Sequence, residues 1–148
     1  MSYHEKENWV NIFSSLLITG IFAWMVWQRQ LDGRLNLESD YRQWGIVFLV
    51  FMGISIVARI VIYILFTIGN TIAMRKEEKD VTDERIRLIR LKSIRNAYYV
   101  FSIGFGFSVV ALALGMPVYG LFISFVGCGF LAEMMENFSQ IFYNRKGV

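Results

Sequence analysis

Residues 44–69, WGIVFLVFMGISIVARIVIYILFTIG, decide the fold because 25 of these 26 residues carry no charge. An α-helix needs about 20 mostly apolar residues to cross roughly 30 Å of hydrocarbon at about 1.5 Å per residue. The stretch is long enough to cross with some tilt. Fifteen residues precede Arg59 and ten follow it, so shifting the window cannot move this charge outside. The sequence therefore predicts a membrane-spanning helix with an arginine in its interior.

Two further stretches predict spans without any charge. Residues 9–27 begin and end with Trp, a residue that is enriched at both membrane–water interfaces. Residues 97–116 are also uncharged, and Pro117 follows them in a turn because its ring cannot continue the helix behind it. We expect both stretches to cross the bilayer.

The fourth apolar stretch predicts a span that includes an acidic residue. Only fifteen uncharged residues separate Pro117 from Glu133, about 22 Å of helix, which is less than the hydrocarbon thickness. A crossing helix over about 118–142 must therefore take Glu133 into the membrane and end near the basic pair Arg145 and Lys146. The alternative is a re-entrant or surface-lying end.

The composition of the whole chain agrees with a membrane protein. The 148 residues are 55% hydrophobic, with a mean hydropathy of +0.45, which is too apolar for an ordinary soluble domain of this length. The excess apolar surface is expected to face the lipid bilayer. We predict an all-α integral membrane four-helix bundle that forms a single domain over residues 1–148.

Several classes of function are disfavoured. The net charge of +3 does not predict nucleic-acid binding, because the basic residues adjoin apolar stretches rather than forming a separate basic face. One cysteine, Cys128, and one histidine, His4, exclude a disulfide within a monomer and a Cys/His zinc site built from one chain. No Ser/His/Asp set, P-loop or His-Glu-x-x-His motif occurs. We expect no enzyme activity, no cofactor and no metal.

The distribution of Lys and Arg predicts the orientation. The linker 70–96 contains eight of them and the linker 28–43 contains three, whereas the turn between the last two spans contains none. Basic residues are enriched in cytoplasmic loops of membrane proteins. The long linker and both chain termini are therefore predicted to be cytoplasmic.

The second half of the long linker 70–96 predicts a helix that starts near Thr82 and runs unbroken into the third span. The sequence gives no clean amphipathic face there. We expect its basic residues to contact anionic lipid headgroups, and the alternative is a docking surface for a cytoplasmic protein. The residues in question are Arg85, Arg87, Arg90, Lys92 and Arg95.

Arg59 and Glu133 are predicted to form an ion pair. Counted from the ends of their spans, the two residues lie at similar depth. An unpaired charge near the bilayer centre costs about 2.5–3.5 kcal/mol even on lenient insertion scales, so pairing is the cheapest arrangement. Glu136 is the alternative partner and could share the guanidinium, which presents a fork of donors.

A polar stripe on the fourth helix extends this cluster. At 100° per residue, Glu136, Asn137, Gln140 and Asn144 fall on the same side as Glu133. Such a stripe is predicted to face other helices, a water-filled inner vestibule, or a second copy of the chain in a homo-oligomer.

Two functions follow from this cluster. If the buried charges only fix helix register, the chain is a non-enzymatic accessory, regulatory or immunity-type membrane protein. If they form an ion, proton or cationic-substrate site, the chain is a small oligomeric transporter or channel subunit that uses Glu133 and Glu136 for coupling.

Residues 81–95, VTDERIRLIRLKSIR, lead directly into an apolar span, and this segment resembles one in small bacterial multi-pass membrane proteins that have no assigned activity. The resemblance covers about fifteen residues and implies a location in the bacterial cytoplasmic membrane. A chain with four short spans is also similar to the small multidrug transporters. Those transporters carry an essential glutamate in the first helix, whereas residues 9–27 contain no acid, and this departure argues against membership.

Overall fold

The computed structural model describes residues 3–33, 40–73 and 83–146, and this part of the chain forms four α-helices. Each helix contains a stretch long and apolar enough to cross a membrane, which confirms the all-α fold and indicates a multi-pass membrane protein. The helices are α1 (Tyr3–Leu31), α2 (Tyr41–Ala73), α3 (Asp83–Ala113) and α4 (Val118–Lys146).

Two helices extend well beyond the apolar stretches that predict them. α3 begins at Asp83 and runs without a break through the third apolar stretch, which confirms the predicted continuous helix. α4 continues past Glu133 to Lys146 as one helix of 29 residues rather than ending at the acidic residue. Residues 74–82 of the predicted linker lie outside the described residues, and they include Arg75, Lys76, Lys79 and Thr82.

A tight turn reverses the chain between α3 and α4. Gly115 adopts a positive φ of 102°, a conformation that side chains with a Cβ rarely take. The backbone N–H of Met116 donates to the carbonyl of Ala111 at 3.0 Å, which satisfies an acceptor that the end of a helix otherwise leaves unpaired. Pro117 then separates this helix end from the start of α4 at Val118.

The helices run alternately up and down, and α4 is the central element. It packs most extensively against α3 and also contacts α1, which in turn contacts α2. Glu5 in the first turn of α1 pairs with Arg145 in the last turn of α4 at 3.0 Å, so these ends lie together. At the opposite end, the rings of Trp44 in α2 and Phe122 in α4 stack with centroids 5.4 Å apart.

Most of the apolar surface is not covered by protein. On α2, Leu49 is 66% exposed, Ile56 54% and Leu65 63%. A soluble monomer rarely leaves an apolar surface of this extent in water. The exposed face of α2 is therefore suited to lipid.

Candidate functional site

Three polar side chains from three different helices meet at the middle of the bundle. Arg59 of α2 donates through Nη2 to Oε2 of Glu133 on α4 at 2.6 Å, forming an ion pair. The hydroxyl of Ser15 on α1 donates to Oε1 of the same carboxylate and accepts from Arg59 Nη2 at 3.2 Å. Each of these residues lies within two positions of the centre of its helix. We call Ser15, Arg59 and Glu133 the central triad.

Ser15 is a member of this site that the sequence analysis missed. It is only 2% exposed, and its hydroxyl contacts both charged partners. The available signal was its position midway along the first apolar stretch, at the depth predicted for the two charges. That signal is weak, because serine is common in membrane-spanning helices as a packing residue.

The ion pair borders an open cavity of about 480 Å³ between α1, α2 and α4, closed at one side by α3. The side chain of Glu133 is 23% exposed and that of Arg59 is 50% exposed, so the arginine is the more accessible partner. Aromatic rings form much of the wall, and the polar groups gather at one end. The rings belong to Phe48, Phe51, Phe101, Phe125 and Phe130.

The predicted alternative partner of Arg59 lies elsewhere. Oε1 of Glu136 accepts a hydrogen bond from Gln140 Nε2 at 3.2 Å, one turn further along α4. Asn137 is buried, with 6% of its surface exposed, and donates through Nδ2 to the backbone carbonyl of Glu133 at 2.9 Å. Asn137 therefore contacts the backbone of Glu133, whereas Glu136 bonds to Gln140. The two glutamates do not share the guanidinium of Arg59 in this structure.

A second polar cluster ties α3 to the last turns of α4. Asn96 on α3 donates through Nδ2 to Ser139 Oγ at 3.2 Å and to Tyr143 Oη at 3.1 Å. Arg85 Nη2 donates to the carbonyl of Asn144 at 3.4 Å. These contacts were not predicted, because a single asparagine at the start of an apolar stretch carries little information about its partner.

The first half of α3 has a buried face that the sequence analysis did not recognise. Ile89 is 3% exposed, Ser93 0% and Ala97 8%, a spacing of four residues that forms one row along the helix. This row joins one large apolar residue to two small ones, so it is consistent with the prediction that α3 has no clean amphipathic face here. Leu88 and Leu91 are also large, and each is 57% exposed.

The basic residues of this segment divide into two groups. Three are exposed and have no ion-pair partner among the described residues: Arg87, Arg90 and Arg95. The other two contact α4, since Arg85 reaches the Asn144 carbonyl and Lys92 Nζ lies 5.8 Å from the centre of the Tyr143 ring.

Within the described ranges, no group of three or more His, Cys, Asp or Glu side chains could hold a metal ion. No protein-family model, curated protein or solved structure matches the chain.

Proposed function

We propose that this chain is a non-enzymatic accessory protein, of regulatory or immunity type, in the bacterial cytoplasmic membrane. Both termini and the linker 70–96 lie in the cytoplasm, as the Lys and Arg distribution predicts. The observation that carries the proposal is that both carboxylate oxygens of Glu133 accept hydrogen bonds from within the bundle, one from Ser15 and one from Arg59.

The hydrogen bonds to both oxygens of Glu133 favour a structural role for its carboxylate. A residue that couples proton or cation movement must exchange its partners during each cycle, whereas here the carboxylate joins three helices. Glu136, the second acidic residue of a coupling path, bonds to Gln140 and does not line the cavity beside Arg59. The central triad is therefore best explained as the contact that holds α2 to α1 and α4.

The exposed arginines in the first half of α3 support a role at the inner membrane surface. Arg87, Arg90 and Arg95 are exposed, and they precede Tyr98 and Tyr99, which are 65% and 54% exposed. Tyr is enriched where a helix passes through the membrane–water interface, so the three arginines would lie at the level of the headgroups. Each basic residue near an anionic surface contributes about 1 kcal/mol of attraction.

A substitution at Glu133 tests the structural role of the triad. Glu133→Gln leaves Arg59 without a counter-charge, and we expect the unfolding free energy in detergent to fall by about 2.5–3.5 kcal/mol. Removing the charge of Arg59 as well, with Arg59→Met, should recover most of this loss. Glu136→Gln is the matched control on the same helix and should change the free energy by less than about 0.5 kcal/mol. Equal effects at the two glutamates would contradict the proposal.

A lipid titration tests the role of these exposed arginines. Adding anionic phosphatidylglycerol to the protein in neutral detergent should raise its melting temperature, and the rise should shrink at high salt. The triple substitution of Arg87, Arg90 and Arg95 by Gln should remove most of the rise. Replacing Arg29 and Arg42, which lie at the other end of the bundle, by Gln should leave the rise in melting temperature unchanged. A rise that survives the triple substitution would reject this role and favour the protein-docking alternative.

The second candidate is a small oligomeric transporter or channel subunit. The observation in its favour is the cavity beside Arg59, because a half-exposed arginine at the centre of a bundle is accessible to a substrate. Purified protein in liposomes would then carry a proton or cation flux that Glu133→Gln abolishes without lowering stability. An absence of Glu133-dependent flux, together with a loss of stability in this variant, would exclude the transporter.

A further inference from the structure

We propose that the cavity beside the central triad binds a neutral, ring-bearing hydrophobic molecule with carbonyl acceptors, the chemistry of a membrane quinone. The inference is independent of the proposed accessory function. It starts from hydrogen-bond donors at the centre of the bundle that have no acceptor among the described residues.

Arg59 supplies most of these donors. A guanidinium has five N–H groups, and both hydrogen bonds of Arg59 are made through Nη2. Nη1 and Nε have no partner in the described part of the chain. The hydroxyl of Ser55, one turn before Arg59 on α2, is buried and also has no hydrogen-bond partner there. Both residues line the same cavity. Unpaired donors in a hydrocarbon environment are costly, so an acceptor-bearing molecule stabilises this arrangement.

The charge balance selects the class of head group. Arg59 and Glu133 neutralise each other at 2.6 Å, so the site offers donors without a net positive charge. An anionic head would have to compete with Glu133 for the same guanidinium. A neutral carbonyl oxygen accepts from the remaining N–H groups and from Ser55 without breaking the ion pair.

The shape and walls of the cavity select a ring. Five phenylalanines contribute to the lining, and aromatic rings pack on a flat ring in stacked or edge-on geometry. The volume of about 480 Å³ falls within the range of pockets that bind small molecules. Polar groups at one end and aromatic walls along the rest match a ring whose oxygens point towards Ser55 and Arg59.

A second cavity provides room for an apolar tail. Its volume is about 600 Å³, and it shares Thr19, Phe48, Phe51 and Val126 with the first cavity. It extends to Trp44 near the start of α2, fifteen residues from Arg59, which corresponds to about 22 Å of helix. A ligand with its ring at the triad would therefore direct its tail along α1, α2 and α4 towards the membrane surface.

The test uses the 148-residue chain in detergent and three probes that each carry a chain of about ten carbons. The probes are a substituted benzoquinone, decanoic acid and decanol. Calorimetry follows the binding of all three, and quenching of tryptophan fluorescence also follows that of the benzoquinone. We expect the benzoquinone to bind saturably at about one molecule per chain, and more tightly than either of the other probes.

Matched glycine variants locate the site. A Cβ at Gly129, which lines the cavity, and a Cβ at Gly106, which does not, would each meet nothing within 4 Å. Gly129→Leu should fill the cavity and weaken benzoquinone binding at least about tenfold, whereas Gly106→Leu should leave it unchanged. Ser55→Ala, which removes a hydroxyl without a protein partner, should weaken the benzoquinone but not decanol.

Three results would overturn the inference. Tighter binding of decanoic acid would assign the cavity to an anionic amphiphile. Unsaturable uptake of benzoquinone that Gly129→Leu does not alter would leave only partition into the detergent. If light scattering showed a dimer that Gly129→Leu dissociates, without any saturable benzoquinone binding, a second copy of the chain would occupy the groove.

Discussion

The close approach of α3 to α4 at Gly104 makes a steric prediction. A Cβ built on this residue of α3 would lie 2.6 Å from the Sγ atom of Cys128 on α4, well inside normal contact distance. Cys128 cannot easily turn away, because it is 8% exposed and its sulfur lies 3.9 Å from the hydroxyl of Ser108. Gly104→Ala should therefore push α3 and α4 apart or displace the sulfur.

The expected size follows from two opposing terms. Overpacking a well-packed contact typically costs about 1–3 kcal/mol. Replacing glycine by alanine inside a helix contributes about 1 kcal/mol in the opposite direction. Gly106→Ala carries the second term without the first, because no atom lies within 4 Å of a Cβ there. The unfolding free energy of Gly104→Ala should therefore be about 1–3 kcal/mol below that of Gly106→Ala.

A double-mutant cycle with Cys128→Ala isolates the contact. Once the sulfur is removed, the nearest remaining atom is the Cβ of residue 128 at 3.4 Å, which is ordinary van der Waals contact. Gly104→Ala should then behave like Gly106→Ala, giving a coupling energy of the same 1–3 kcal/mol or so. Unfolding in mixed micelles with increasing SDS provides the free energies. A coupling energy near zero would refute the proposed contact between Gly104 and Cys128.

Two further predictions concern the end of the bundle where α1 begins. Glu5→Gln removes the partner of Arg145, whose side chain is 61% exposed. The unfolding free energy should therefore fall by less than about 1 kcal/mol, and the difference should vanish in high salt. A larger, salt-independent loss would contradict this prediction. Asn96→Ala removes donors to Ser139 and Tyr143 and should cost about 1–3 kcal/mol, while Tyr143→Phe should cost about half as much. Equal losses in these two variants would assign the stabilisation to Tyr143 alone.

The helices and the ion pair could be predicted from the sequence because both depend on distance along the chain. Uninterrupted apolar stretches of about 20 residues are required by the thickness of the hydrocarbon. Counting residues from the ends of two such stretches places Arg59 and Glu133 at similar depth, and a buried charge favours an opposite charge at that depth. The rise of a helix is constant, so this count needs no knowledge of packing.

The remaining contacts depend on how each helix is rotated about its axis and on which helices are neighbours, and the sequence specifies neither. Glu136 shares a face of α4 with Glu133, yet a side chain one turn away reaches a different partner, Gln140. The buried row of Ile89, Ser93 and Ala97 includes two small residues that allow close approach, and hydrophobicity does not detect them. Ser15 acquires its role only because α1 and α2 both lie beside α4.

The contacts of α2 lead us to expect that the central triad fixes the position of this helix in the bundle. Within a membrane, apolar side chains gain little by leaving lipid for a neighbouring helix, so helix order depends on close packing and on hydrogen bonds. α3 and α4 have close packing, through Gly104 and Cys128. α2 makes fewer contacts, which include aromatic contacts near Trp44, the ring pair of Phe51 with Phe22 on α1, and the triad at Arg59. Neutralising the triad should therefore release α2 before it separates α3 from α4, and proximity labels on α2 and α4 would report that order.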